Sequence, residues 1–71
     1  MSEVEKQEHD FPARLSRPAT NALLAAGYTR MEQLTTVTAR EILALHGMGP
    51  KGIRILREEL AQQGKAFEGD R

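Results

Sequence analysis

The residues with the most capacity for chemistry are Gly47, Gly49, Lys51 and Gly52, in the stretch Leu-His-Gly-Met-Gly-Pro-Lys-Gly-Ile from Leu45 to Ile53. The chain has six glycines and spends three of them here. A reversal between two helices with almost no linker favours backbone angles that glycine alone adopts cheaply. Met48 is of a size to plug the gap between them. Gly49-Pro50 then reads as a helix start, because proline suits a first-turn position whose N–H is not needed. The free amides of a helix start form an anion site made from backbone alone. Lys51 falls in that first turn, where the helix dipole disfavours a cation; a docked phosphate reverses the penalty. Gly52 presents no side chain to block a close approach. The plainer alternative is a tight turn between packed helices.

Other polar residues join this group by position. Lys51 and Arg54 point away from the apolar stripe Ile53, Leu56 and Leu60. Arg57 lies nearer its edge, and Ile55 is expected to point outward between Lys51 and Glu59. A solvated face with an Arg54–Glu58 pair at i,i+4 accounts for the same charges at a few tenths of a kcal/mol, roughly. Asn21 lies opposite the apolar face of its own helix, and Arg17 stands at that helix's start. His9 and His46 share no third ligand at metal-site spacing, so neither a metal nor a cofactor is expected. There is no cysteine, the serines and threonines read as caps, and no buried His/Asp partner is evident, so no enzymatic chemistry is expected.

These residues must be positioned by helices. Ser16-Arg17-Pro18 reads as a start, with Ser16 as cap, followed by an apolar face of Ala19, Ala22, Leu23 and Ala26 and a stop at Gly27. Thr29-Arg30-Met31-Glu32 and Thr38-Ala39-Arg40-Glu41 both carry the capping-box pattern. The first opens a short helix with Met31 and Leu34. The second opens a helix with Ile42, Leu43 and Leu45. The last helix follows Gly49 and ends at Gly64, after which Phe67 folds back on the core; Tyr28 is expected in the core as well. Nothing alternates with period two. The expected fold is all-α, a compact bundle of four to five short helices.

The 71 residues allow one small domain without disulfides. Residues 1–10 carry Glu3, Glu5, Glu8 and Asp10 against Lys6 and read as a disordered acidic tail. Residues 11–67 form the domain, and 68–71 a flexible C-terminus. Residues 11–60 hold seven cations against four acids, a mildly basic balance compatible with nucleic acid. No membrane span or export signal is apparent, which predicts a cytoplasmic protein.

The segment Leu45-His46-Gly47-Met48-Gly49-Pro50-Lys51, preceded by Ile42, resembles the helix-hairpin-helix pattern hydrophobic-x-Gly-hydrophobic-Gly-x-Lys. Residues 15–67 more broadly resemble the C-terminal domain of the bacterial RNA polymerase alpha subunit. Leu15-Ser16, Asn21, Leu34, Thr38-Ala39-Arg40-Glu41-Ile42-Leu43, Gly49-Pro50-Lys51 and Gly64 carry that likeness, without a gap. The resemblance implies a SAM-like helical unit that meets the minor groove of duplex DNA. It implies RNA polymerase or a transcription factor as further partners, and neither a membrane nor a small-molecule substrate.

The family's DNA face uses a first-helix arginine, an asparagine three positions on, and the hairpin's glycine and lysine. Asn21, Gly49 and Lys51 match. The arginine position holds Pro18, with Arg17 one residue earlier; a serine position holds Gly52 and a nearby acidic position holds Ile55. The DNA-binding set expected is therefore Arg17, Asn21, Gly47, Gly49, Lys51, Gly52 and Arg54. The competing expectation, drawn from Pro18 and an outward Ile55, is a protein-interaction module that has lost the DNA contact.

Overall fold

A computed structural model of the chain describes residues 8–70. Within them lie four helices and no strand: α1 (Arg17–Ala25), a 3-10 helix (Met31–Thr36), α2 (Ala39–Leu43) and α3 (Pro50–Gln62). The starts of α1 and α2 and the ends of α1 and α3 have local causes. The Ser16 hydroxyl accepts from the Ala19 amide at 3.3 Å and opens α1. Gly27, at φ +95°, ends it. At α2, Thr38 Oγ1 accepts from the Glu41 amide at 3.1 Å while the Glu41 carboxylate reaches back to the Thr38 amide at 3.4 Å. Gly64, at φ +71°, follows α3.

The start of the 3-10 helix departs from expectation. Thr29 and Glu32 do not form the predicted reciprocal pair. The carboxamide oxygen of Gln33 accepts from the amides of Thr29 at 2.8 Å and Arg30 at 2.9 Å instead. Asp10 supplies a further acceptor, taking the Met31 amide at 2.6 Å. A residue 21 positions away thus completes this helix start.

Leu23, Leu34, Leu56 and Leu60 are completely buried, and Met31, Ile42 and Phe67 nearly so. Among the described residues, no polar or charged residue is buried with them. Removing a leucine side chain from such a site costs about 2–5 kcal/mol. Two expected core positions differ: Ala26 is exposed at the end of α1, its place taken by Leu24, and Leu43 is exposed on α2.

Ile55, expected to point outward, is buried. It belongs to the one hydrophobic core, which also takes in Phe11 and Leu15 of the segment before α1. Arg14 in that segment sits 3.6 Å from Glu58 and 3.7 Å from Glu59. These exposed pairs contribute little energy, but they mark where the segment crosses α3. Glu58 therefore meets Arg14, not the expected Arg54.

The domain also extends past its expected limits. The Asp10 amide donates to the Thr29 carbonyl at 3.1 Å, and the Glu68 amide to the Val37 carbonyl at 2.9 Å. Arg57 Nε donates to Asp70 at 2.7 Å, and its guanidinium lies over the Phe67 ring. Asp10 and residues 68–70 belong to the folded unit. The rest of the expected acidic tail, residues 1–7, and Arg71 lie outside the described residues.

Candidate functional site

The site is built on the turn between α2 and α3. Leu45 donates its amide to the Ile42 carbonyl, and Met48 to the Leu45 carbonyl, each at 3.0 Å. Gly47 then takes φ +97°, a value side-chain-bearing residues rarely adopt. A Cβ there would stand 2.9 Å from the Pro18 carbonyl oxygen and 3.6 Å from Ala22 Cβ. Conformation and space both demand glycine, and the close approach seats the turn on the first half of α1.

Gly49 is different. Its backbone is extended, at φ −132° and ψ 176°, and a Cβ would meet nothing within 4 Å. The expectation that both glycines supply special angles holds for Gly47 alone. What Gly49 does provide is a helix start without a capping side chain. Pro50 occupies the first turn, and the first bond of α3 runs from the Ile53 amide to the Gly49 carbonyl at 3.1 Å. No carbonyl or side chain among the described residues accepts from the amides of Gly49, Lys51 or Gly52. Lys51 and Arg54 are exposed, and neither has a carboxylate partner among the described residues.

Gly52 is buried, contrary to its expected openness to a ligand. Its missing Cβ makes room for the protein itself: an added Cβ would lie 2.7 Å from Met48 Sδ, 3.5 Å from Ala19 Cβ and 3.7 Å from Leu15 Cδ1. Gly52 is thus a packing residue that lets α3 cross α1 closely. Met48, expected to plug the gap between α2 and α3, has its Sδ over Gly52, beside Ala19 of α1 and Leu15.

On α1, Arg17 and Asn21 line an open cleft whose other wall is the segment before the helix, with His9, Pro12 and Leu15. Asn21 is half-buried there rather than fully solvated. The fold brings Gly47 and Gly52 directly against α1, while Arg17 and Asn21 flank Pro18 on that helix. Sequence reasoning missed Pro18 as the seat of the turn, because a backbone carbonyl leaves no signature in side-chain type. It also missed His9 and Thr20 at the cleft; no spacing links them to α1.

Among the described residues no group of three His, Cys, Asp or Glu side chains could hold a metal ion. No helix among them is long and apolar enough to cross a membrane. Comparisons with protein-family models, with curated proteins and with solved structures found no match.

Proposed function

We propose that this chain is a helix-hairpin-helix module that holds duplex DNA by its phosphate backbone, in the manner suggested by its resemblance to the RNA polymerase alpha C-terminal domain. The observation that carries this reading is the start of α3. Among the described residues the amides of Gly49 and Lys51 lack an acceptor, beside a lysine side chain without a carboxylate partner, at a glycine that neither conformation nor space requires. The dipole and the bare amides favour an anion at that place. The ammonium of Lys51 adds a mobile counter-charge that a turn serving packing alone does not need.

Gly47 contributes by seating the turn, and Gly52 by letting α3 approach α1; neither needs to touch the ligand. Gly49 and Lys51 meet phosphate, and Arg17, Asn21 and Arg54 supply neighbouring contacts. Two or three ionic contacts give weak, sequence-independent affinity, about 10⁻⁴–10⁻⁶ M at physiological salt. The rival reading, a protein-interaction module, loses one of its two supports because Ile55 is a core residue.

The test is a chemical-shift titration with a duplex of mixed sequence at low salt. Amide shifts at Gly47–Arg54 and Arg17–Asn21 that fade with added salt support the reading. A flat titration, together with an unchanged response in Lys51→Glu, refutes it.

A further inference from the structure

Met48 occupies a position the proposed function does not use. Its Sδ lies 2.7 Å from where a Cβ on Gly52 would stand, and Ala19 and Leu15 adjoin the same point. The thioether therefore fills the socket where α3 crosses α1. Met48 is at the edge of the core, 9% exposed, whereas Met31 is 1% exposed within it. The side chains beside it at that point, Ala19 and Leu15, are apolar, and among the described residues no buried polar side-chain atom lacks a partner.

We propose that Met48 is a reversible oxidation site that switches the α2–α3 turn. In the step, a sulfur lone pair of Met48 attacks one oxygen of a hydroperoxide. The O–O bond breaks, an S–O bond forms, and the other oxygen leaves as water or alcohol after taking up the proton. Sulfur loses two electrons and the peroxide gains them. The product is a polar, bulkier sulfoxide. Ala19 and Leu15 offer it no donor side chain, and the space over Gly52, already filled by the thioether, does not admit the added oxygen without strain. The oxidised side chain therefore leaves for solvent, and the space over Gly52 empties. The turn then loses the side-chain packing that joins Met48 to the start of α3. Reduction of the sulfoxide restores the thioether and the packed turn.

The experiment treats the full chain with dilute hydrogen peroxide and maps sulfoxides by peptide mass spectrometry. Thermal unfolding and the amide spectrum of Gly47, Gly49, Lys51 and Gly52 are recorded in parallel. Met48 should oxidise well before Met31. The unfolding midpoint should fall by about 5 °C or more as Met48 oxidises, with turn amides shifting most. Treatment with methionine sulfoxide reductase should reverse both changes. Met48→Leu, which keeps the volume but cannot be oxidised, should stay folded and show no peroxide-dependent drop in midpoint. The proposal fails if Met48 resists oxidation as long as Met31 does, or if its sulfoxide leaves midpoint and turn amides unchanged. It also fails if folded Met48→Leu responds to peroxide like the wild type; should that variant not fold, Met48→Ile takes its place. None of these readouts involves DNA, so the result stands apart from the binding titration.

Discussion

The starts of α2 and α3 lie eleven residues apart and solve the same problem in opposite ways. At α2 the protein closes its own helix: Thr38 and Glu41 satisfy each other's amides, and Glu41 supplies the negative charge the dipole favours. At α3 there is no capping side chain, no acid in the first turn, and a lysine where an acid belongs. A helix that serves only packing gains from the first arrangement. The second leaves the stabilisation to be supplied from outside, which is the physical content of the DNA proposal.

The comparison breaks most visibly at Gly47, on which the open start depends for its position. Gly47→Ala places a Cβ 2.9 Å from the Pro18 carbonyl at φ +97°. Urea unfolding should show a loss of about 2 kcal/mol or more. An unchanged midpoint would mean that the turn does not rest on α1 as described.

Next in size is the conversion of the α3 start into a copy of the α2 start. Gly49→Asp meets no steric obstacle and adds a cap. Stability should rise by a few tenths of a kcal/mol, roughly, while DNA affinity falls at least about tenfold through charge repulsion and occupied amides. The two effects have opposite signs, so loss of binding cannot be blamed on unfolding. Equal DNA affinity in a stabilised variant would sever the link between open amides and binding.

The reverse change, Thr38→Ala, removes the closed cap and should cost about 1 kcal/mol in unfolding free energy. DNA affinity should not move in the same titration. The smallest effect is that of Lys51→Ala on stability, expected within about 0.5 kcal/mol of wild type because the side chain is exposed. Its DNA affinity should nonetheless fall, with the slope of log K against log salt shallower by about one. A thermal midpoint well below wild type would instead assign Lys51 a structural role.

Much of the fold was legible because helix starts and stops are decided within one turn of chain. Ser16, Gly27, Thr38 with Glu41, Gly49-Pro50 and Gly64 each announce a boundary by their own chemistry, and the structure places boundaries there. Phe67 was readable as core for a related reason: it is a lone large aromatic just past a glycine stop. The α2–α3 turn was legible as a glycine-rich helix junction, but not the division of labour among its glycines. Three glycines in one stretch look alike in sequence. One is required by its angle and a carbonyl of α1, one by a sulfur atom, and one by nothing inside the protein.

Sequence alone therefore determined the helical order, the capped starts of α1 and α2 and the uncapped start of α3, since these follow from contacts between near neighbours in the chain. Only the tertiary structure decided that Ile55 is covered, that Asp10 completes a helix start 21 residues away, and that Gly52 faces Met48 rather than solvent. The physical reason is that a helical pattern specifies which side chains share a face. What lies against that face depends on the path of residues 9–15, and nothing local to α3 encodes it.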